Sequence, residues 1–463
     1  MPIKTRADYL VVGAGAMGMA FVDTLIAETD ATVAIVDRYH QPGGHWNVAY
    51  PFVRLHQPSV GYGVNSRPLG NNTVDRNGWN AGLYELASVG EVCAYFDQVM
   101  QQTLLPTGRV RYFPMSEYLG EGRVRSLVTG DRFEIEVARK TVDSTYQQVS
   151  VPAMRPPLYG VADGVACVAP NALTSLGEHY DRFTIIGAGK TGIDTCLWLL
   201  RQRVDPENLT WIMPRDSWLI DRALVQPGPL FADNVARVLA AEVRAVAEAA
   251  SIVDLFDRLE ACGRLIRLDA NVRPTMYRCA TVSLAELEQL RRIARVVRLG
   301  RVQRIEANSI RLDNGSVSTT AATLHIDCSA DGLARRPELP VFDGGRITLQ
   351  SVRTCQQVFS AAFIAHVEAT YTDEAVKNVL CAAIAHPNTD VDYLRTRLAD
   401  IRNERCWAAD DKLQAWLRTS RLNWVRDLGP SLPAEPDKRA EALRRMVDVT
   451  ENLRAKFGTL LSA

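Results

Sequence analysis

The sequence predicts an α/β protein with two parallel-sheet units, and two stretches of the chain carry that prediction. Near the N-terminus, the apolar residues 9–12 run directly into Gly13-Ala14-Gly15-Ala16-Met17-Gly18 and a helical pattern. In the middle of the chain, residues 183–186 run into Gly187-Ala188-Gly189-Lys190-Thr191-Gly192 and a second helical pattern. An apolar strand, a Gly-x-Gly-x-x-Gly turn and a helix open a Rossmann βαβ unit. We therefore expect two Rossmann-like dinucleotide-binding units, followed by C-terminal helices.

The segments around the two turns complete this expectation. Residues 32–37 and 209–213 read as the second strand of each unit, and residues 110–137 alternate like an antiparallel meander. Residues 151–173 are rich in Pro and Gly, which is typical of a linker. Residues 233–262 are predicted as a helical insertion, residues 302–326 as a hairpin, and residues 374–384, 391–420 and 438–457 as amphipathic helices. We expect these last helices to pack on the sheet units.

Composition narrows the classes of protein that this chain can be. The 463 residues suffice for two or three domains. Lys plus Arg and Asp plus Glu both number 53, so the formal net charge is zero, which argues against a nucleic-acid binder. No apolar stretch approaches the roughly 20 residues that a membrane span needs. The start of the chain also lacks the pattern of a signal peptide. These features predict a cytoplasmic protein that binds neither nucleic acid nor membrane.

The nine cysteines are scattered. No two form a C-x-x-C pair, and no Cys/His spacing is typical of a metal site. The simplest interpretation is a set of free thiols in a reducing compartment, with no bound metal.

The first glycine turn predicts a dinucleotide site. Gly13 permits the tight turn, Gly15 lets backbone N–H groups approach a pyrophosphate, and Gly18 lets the helix pack on the strand. Asp37 ends the next strand, at the spacing of an acid that binds a ribose hydroxyl. The alternative is a tight turn that binds nothing.

The second glycine turn differs at the position that selects the cofactor. Pro214 and Arg215, not an acid, follow the strand at residues 209–213. An arginine there can pair with a 2′-phosphate, which favours NADPH over NADH. The alternative is a relic unit that no longer binds nucleotide, because Lys190 and Thr191 crowd the turn.

A third motif gives the chain a family resemblance. Gly43-Gly44-His45-Trp46 begins six residues after Asp37 and is followed by Tyr50-Pro51 and Arg54. This arrangement resembles the class B flavoprotein monooxygenases, the flavin-containing and Baeyer–Villiger enzymes. Two features mark a divergent member. Residues 151–173 lack the histidine of the family's linker signature, and His56 stands where the Baeyer–Villiger branch carries an acid.

The resemblance implies FAD at the first turn and NADPH at the second. The residues expected to hold FAD are Gly13, Gly15, Gly18, Asp37, Arg38, Gly44, His45, Trp46 and Gln57. The residues expected to hold NADPH are Gly187, Gly189, Lys190, Thr191, Gly192 and Arg215. Asp331 and Gly332 belong to a loose version of the sequence that returns the family's chain to its FAD domain.

Catalytic candidates follow the Gly-Gly-x-Trp motif. In the family, reduced flavin and dioxygen form a C4a-(hydro)peroxide, and cationic donors nearby would stabilise its charge. Arg54 and His56 are the candidates, and their alternatives are a structural salt bridge and a hydrogen-bonded loop histidine. Tyr62, Asn65, Gln350 and Arg353 are candidates for the substrate pocket.

The expected organisation is an FAD-binding domain split between residues 1–178 and 327–463, with a nicotinamide domain at residues 179–326 inserted. The expected activity is NADPH-dependent insertion of one atom of dioxygen into a small organic substrate. A flavin oxidase or dehydrogenase that does not use NADPH, and a non-catalytic FAD-binding protein, stay open. A flavin disulfide reductase is disfavoured, because it needs a redox cysteine pair beside the flavin. Homodimer formation is also left open.

Overall fold

Two separate parallel sheets organise the computed structural model, which describes residues 3–330, 332–427 and 435–462. The strands are β1 (Ile3–Val12), β2 (Val33–Val36), β3 (Val110–Phe113), β4 (Ser116–Tyr118), β5 (Arg123–Ser126), β6 (Arg132–Asp143), β7 (Gly160–Val161), β8 (Cys167–Val168), β9 (Arg182–Ile186), β10 (Leu209–Ile212), β11 (Ser217–Asp221), β12 (Met276–Val282), β13 (Arg295–Val297), β14 (Val302–Ile305), β15 (Ser309–Leu312), β16 (Gly315–Ser318), β17 (Thr323–Asp327), β18 (Phe342–Asp343) and β19 (Arg346–Thr348). The helices are α1 (Ala16–Glu28), α2 (Val89–Val99), α3 (Lys190–Arg201), α4 (Pro229–Glu248), α5 (Ile252–Ala261), α6 (Leu284–Leu290), α7 (Gln357–Thr370), α8 (Glu374–Leu380), α9 (Asp390–Ala408), α10 (Asp411–Thr419) and α11 (Pro436–Ser462). The predicted fold class is confirmed.

The first sheet has the strand order β18-β19-β6-β1-β2-β3, with β4 and β5 added beside β6. Strand β1 runs parallel to β2 and to β6, and its residues Ala7, Tyr9, Leu10 and Val11 are buried. Helix α1 packs against α7, so the first glycine turn is enclosed by residues from both ends of the chain. The parallel sheet places the turn at the carboxyl end of β1, where Rossmann units bind their ligands.

The predicted meander at residues 110–137 is partly wrong. Strand β3 pairs in parallel with β2, and Val110 is buried in register with Val33. The antiparallel part is limited to β4, β5 and β6. Apolar and polar residues alternate in β3, and this pattern occurs in parallel edge strands as well as in meander strands. Burial against β2 therefore decides which strand β3 pairs with.

The second sheet is entirely parallel, in the order β13-β10-β9-β17-β8. Strand β17 is buried along its whole length between β9 and β8. The predicted hairpin is therefore shorter than expected. Strands β14, β15 and β16 form it, and the residues of β17 join the parallel sheet instead. Strands β7 and β8 also join these sheets, so residues 151–173 are more than a linker.

The predicted helical insertion is two helices, α4 and α5. The Ser251 side chain accepts the backbone N–H of Asp254 and caps the second one. Of the C-terminal helices, α11 packs on α4 and on α9, and α9 also contacts α5. Their buried residues Tyr393, Ile401 and Phe457 share one apolar core with Trp218 of β11. These two C-terminal helices therefore pack on the helical insertion, while Trp407 near the end of α9 is buried in the core of the first sheet.

The expectation of free thiols throughout is wrong for one pair of cysteines. Cys279 of β12 and Cys355, in the loop before α7, form a disulfide across a sequence separation of 76 residues. The other seven cysteines are free. A pair this far apart in sequence leaves no spacing motif, so only the tertiary structure brings the two sulfurs together.

Within the described parts of the chain, no helix combines the length and the apolar character needed to cross a membrane.

Candidate functional site: two glycine turns on one cavity

A single cavity of about 1430 Å³ lies between the two sheets. Gly13 and Gly15 of the first turn line one part of it, and Gly189, Lys190 and Thr191 of the second turn line another. Each turn lies at the carboxyl end of a central parallel strand, which is where Rossmann-like sheets place their ligands. The two predicted nucleotide sites therefore open into one space.

The first turn is tightly packed. Gly13 has a φ of +99°, and a Cβ there would lie 2.6 Å from the Ser144 hydroxyl. A Cβ on Gly18 would lie 2.1 Å from the Gly13 carbonyl oxygen. These two contacts are the strand and helix packing that the motif predicts.

Asp37 closes the first turn from the neighbouring strand. Its buried carboxylate accepts the backbone N–H groups of Ala14 and, at 2.7 Å, of Tyr39. Burial raises the pKa of Asp37, while these N–H donors act in the opposite direction. Asp37 and Arg38 both line the cavity, so the acid lies at the expected place but already holds the turn through backbone contacts.

The Gly-Gly-x-Trp segment lies directly against the first turn. Gly44 has a φ of +59°, and a Cβ there would lie 2.9 Å from the Gly15 Cα. The Gly43 N–H donates to the Ala14 carbonyl at 2.9 Å. The Trp46 indole N–H donates to the Tyr62 hydroxyl at 2.8 Å, and both of these side chains line the cavity. The segment is therefore part of the wall of the first nucleotide site.

The second turn is held by a half-buried acid on α3, Asp194. Asp194 accepts a hydrogen bond from the Tyr50 hydroxyl at 2.8 Å and forms an ion pair with Lys190. The Trp211 N–H donates to the Gly187 carbonyl at 2.8 Å, and a Cβ on Gly192 would lie 2.1 Å from that same oxygen. Lys190 and Thr191 therefore extend into the shared cavity, and Lys190 is fixed by Asp194.

Arg215 lies just beyond the carboxyl end of β10, as predicted. One of its guanidinium nitrogens lies 3.2 Å from the Asn388 side-chain oxygen and 3.6 Å from the Met276 sulfur. The neighbouring acid, Asp216, is buried and bound by Arg298 at 2.7 and 3.0 Å. A carboxylate neutralised in this way is a poor partner for a ribose hydroxyl, so Arg215 is the more suitable group at this strand end.

The two catalytic candidates do not form a cationic pair. Arg54 is exposed, and its guanidinium donates to the Leu86 carbonyl at 2.8 Å. Burial, together with the nearby positive charges of Lys190 and Arg222, lowers the pKa of His56 to about 3. His56 is therefore neutral at pH 7, and its Nδ1 has no hydrogen-bond partner among the described residues. The expected positive charge on His56 is wrong, because the apolar wall and two neighbouring cations disfavour its protonation.

The other predicted residues divide into two groups. His45, Gln57, Tyr62, Gly332 and Arg353 line the cavity, whereas Asn65 and Gln350 are not among its lining residues. Asn65 is hydrogen-bonded to Thr24 and Ser420. The Gln350 amide pairs with both backbone groups of Leu339. These two amides hold loops together, which corrects their predicted place in the substrate pocket. Asp331 lies outside the described residues.

Sequence patterns missed an apolar lobe of the cavity. It is formed by β11, α4 and the turn between them, and its lining residues include Ile220, Leu224, Val235, Val238 and Leu239. The Ala-rich amphipathic pattern of residues 233–262 indicated a buried face but not that this face borders a cavity.

A buried charge cluster lies at the edge of this lobe. Glu242 is bound by Arg264 at 2.8 Å, by the Tyr393 hydroxyl at 2.8 Å and by Arg397 at 3.6 Å. Burial raises the pKa of Glu242, but the two arginines outweigh burial and the pKa is lowered. Among the described residues, no group of three or more His, Cys, Asp or Glu side chains is placed to hold a metal ion.

Solved structures with a similar arrangement include two monooxygenases. A flavin-containing monooxygenase from Stenotrophomonas maltophilia is 16% identical, with a TM-score of 0.43 over 88% of this chain and 99% of that chain. A cyclohexanone monooxygenase from Rhodococcus sp. Phi1, bound to NADP+, is 14% identical, with a TM-score of 0.46 over 98% of this chain and 99% of that chain.

Sequence relatives are much more similar. No family model matches the chain. The uncharacterized protein Mb2023 of Mycobacterium bovis is 61% identical over 436 residues, which are 94% of this chain and 81% of the relative. The uncharacterized protein Rv2000 of Mycobacterium tuberculosis aligns with the same identity and the same coverage. The chain therefore belongs to the same family as these mycobacterial proteins.

Proposed function

We propose that this protein is an FAD-dependent, NADPH-using monooxygenase that inserts one atom of dioxygen into a small organic substrate. The observation that carries the proposal is the opening of both glycine turns into one cavity of about 1430 Å³. Two dinucleotides bound at these turns would direct their reactive ends into a shared space, which electron transfer between them requires.

The first site suits FAD. Gly15 and Gly44 lie close together, and both line a groove of the cavity without side chains of their own. The N-terminus of α1 faces this groove and offers unpaired backbone N–H groups to a pyrophosphate. His45 and Trp46 continue the wall. Burial lowers the pKa of His45 to about 4, so a neutral imidazole faces the cofactor at pH 7. FAD, when bound, supplies two-electron redox chemistry and reactivity toward dioxygen.

The second site suits NADPH. Among the residues that the structure describes, no atom lies within 4 Å of the position that a Cβ on Gly189 would take, so the Gly189 backbone is open to a pyrophosphate. The Lys190 ammonium, held by Asp194, adds a positive charge at the same turn. Arg215 at the end of β10 offers a planar fork of donors to a 2′-phosphate. Gly189 and Lys190 support a dinucleotide at this turn, and Arg215 supports the predicted preference for NADPH.

The other residues of the cavity would position the substrate and control its access to water. His56 is neutral, so it can donate one hydrogen bond into the cavity and accept another. The Tyr62 hydroxyl, fixed by Trp46, is a second neutral polar group. The apolar lobe at Ile220 and Val238 excludes water and suits a substrate with a hydrocarbon body.

The domain limits at residues 178 and 326 stay a prediction. Strands that precede and strands that follow the second unit form the first sheet, whereas β9, β10 and β17 belong to the second sheet. This arrangement favours an inserted nicotinamide unit. Strands β7 and β8 precede residue 179 yet pair with strands of the second unit, so we propose that the insertion begins near residue 160. The cytoplasmic location also stays a prediction, and cell fractionation tests it.

Isotope labelling tests the reaction. Purified protein loaded with FAD is reduced with NADPH without oxygen and then mixed with ¹⁸O₂ and a panel of ketones, sulfides and amines. We expect flavin bleaching by NADPH and a product that carries one ¹⁸O atom. Hydrogen peroxide as the sole product with every substrate would favour the oxidase alternative. FAD that NADPH does not bleach would favour the NADPH-independent oxidase or the non-catalytic alternative.

A further inference from the structure

The Cys279–Cys355 disulfide lies in the wall of the same cavity. Both cysteines are half-buried, and both line the cavity beside the cationic residues Arg278 and Arg353. The seven free cysteines are not among its lining residues. A sulfur–sulfur bond is therefore exposed to the space in which small molecules would bind.

The surroundings of the two sulfurs are polar. The Cys355 sulfur lies 3.9 Å from Nδ1 of His386, and the Cys279 sulfur lies 3.8 Å from the Tyr277 hydroxyl. His386 and Tyr277 also line the cavity. A thiolate that leaves a disulfide needs a proton or a hydrogen-bond donor nearby, and these groups can supply one.

The backbone at both cysteines is in the left-handed region. Cys279 has a φ of +55° and Cys355 a φ of +60°, which non-glycine residues rarely adopt. Neighbouring contacts hold the loop of Cys355: the Thr354 N–H donates to Asp400 at 2.9 Å, and the Val352 N–H donates to Ser360 at 3.0 Å. Such conformations persist where surrounding structure imposes them, and they are concentrated at functional sites.

We propose that Cys279 and Cys355 form a redox-active pair that undergoes thiol–disulfide exchange with low-molecular-weight thiols entering the cavity. The thiolate of an external thiol attacks one cysteine sulfur, the S–S bond breaks, and the released cysteine takes up a proton. A second external thiolate attacks the mixed disulfide. Two cysteine thiols and one external disulfide result, so two electrons pass from the external thiols to the pair.

The pair also joins the two parts of the molecule. Cys279 belongs to β12, beside the helical insertion, and Cys355 belongs to the loop that connects β19 of the first sheet to α7. Reduction removes this covalent link while leaving the separate apolar cores of both parts intact. The exchange therefore changes how firmly the cavity walls are held together.

Thiol counting tests the proposal on the full chain. Air-oxidised protein is incubated, folded, with dithiothreitol, then quenched in acid, denatured and alkylated, and its mass is measured. We expect seven alkylated cysteines without dithiothreitol and all nine after it. The Cys279→Ser/Cys355→Ser variant should show seven in both samples. The matched control Cys93→Ser should shift from six to eight, because Cys93 is a free thiol.

Two results would overturn the proposal. Nine alkylated cysteines before any reductant would show that the pair does not form a disulfide in air. Seven after treatment of the folded protein, rising to nine only in urea, would show an inert structural disulfide. A protein dithiol such as thioredoxin is too large for the cavity, so reduction by thioredoxin but not by dithiothreitol would also contradict the proposed class of partner.

Discussion

The hydroxyl of Tyr50 donates a 2.8 Å hydrogen bond to the half-buried carboxylate of Asp194. Tyr50 follows the Gly-Gly-x-Trp segment, and Asp194 lies on the helix that begins at the second glycine turn, 144 residues away in the sequence. This contact ties the walls of the two proposed cofactor sites together, and Asp194 also fixes Lys190.

Removing that hydroxyl should destabilise the protein. For Tyr50→Phe we expect the free energy of unfolding to fall by about 1.5–3 kcal/mol, the value of a hydrogen bond to a charged group. Urea denaturation measures it. Tyr180→Phe is the control, because the Tyr180 hydroxyl lies 3.5 Å from an exposed glutamate and should contribute little. Equal stability of the Tyr50 variant and the native chain would show that the contact is not maintained in solution.

Gly15→Ala should remove FAD without unfolding the protein. A Cβ at Gly15 would lie 3.6 Å from the Gly44 Cα, an ordinary contact, so the methyl group obstructs only a ligand. Gly13→Ala should also strip the flavin, but it should destabilise the fold as well, because of the positive φ and the Ser144 hydroxyl. Flavin absorbance per chain and circular dichroism distinguish the two effects. Gly90→Ala, in open space on α2, should keep its flavin. Normal flavin content in the Gly15 variant would refute this site.

Arg215→Ala should reduce the preference for NADPH over NADH. A charge-assisted pair with the 2′-phosphate contributes roughly 1.5–3 kcal/mol, which corresponds to about a ten- to hundredfold rise in the Michaelis constant for NADPH. The constant for NADH should change little. Arg237→Ala, on the exposed side of α4, is the control. A similar rise for both cofactors would indicate that Arg215 acts through its contacts with Asn388 and Met276.

Stability should fall as the pH is lowered from about 6.5. Burial lowers the pKa of His56 to about 3 and of His386 to about 4, from an ordinary value of 6.5. Between these values the unfolded chain binds more protons than the folded chain, so the stabilisation present above pH 6.5 is lost toward pH 3–4. Each histidine contributes a slope of up to about 1.4 kcal/mol per pH unit.

Urea unfolding at several pH values measures this slope, and His56→Gln should reduce it. His179→Gln should leave it unchanged, since the His179 side chain is 88% exposed. An unchanged slope in the His56 variant would mean that this imidazole titrates normally.

Glu242→Gln should be strongly destabilising. The carboxylate is 4% exposed and neutralises two half-buried arginines, Arg264 and Arg397. Removing one partner of a buried ion pair lowers the free energy of unfolding by about 3–5 kcal/mol. Glu248→Gln on the same helix is the matched control, because its pair with Arg258 is exposed and is worth about 0–1 kcal/mol. Thermal unfolding compares the two variants, and similar melting temperatures would contradict the assigned role of Glu242.

The sequence by itself determined the two glycine turns and their contexts. Gly18 and Gly192 are required by close contacts with the carbonyl oxygens of Gly13 and Gly187, which lie in the same turns, so a local pattern reveals them. The capping box of α6 is local in the same sense, because Ser283 and Glu286 bond each other's backbone N–H groups. The placement of Asp37 and Arg215 at strand ends also follows from spacing alone.

Only the tertiary structure decided how these local pieces meet. In the structure, β3 belongs to the parallel part of the first sheet, and β17 pairs with β9 in place of the predicted hairpin. Asn65 and Gln350 do not line the cavity. The charge of His56 depends on burial and on Lys190 and Arg222, which are far away in the sequence. Cys279 and Cys355 meet across 76 residues for the same reason. Solvation, charge proximity and bond formation depend on distances in space, and a sequence pattern records only separation along the chain.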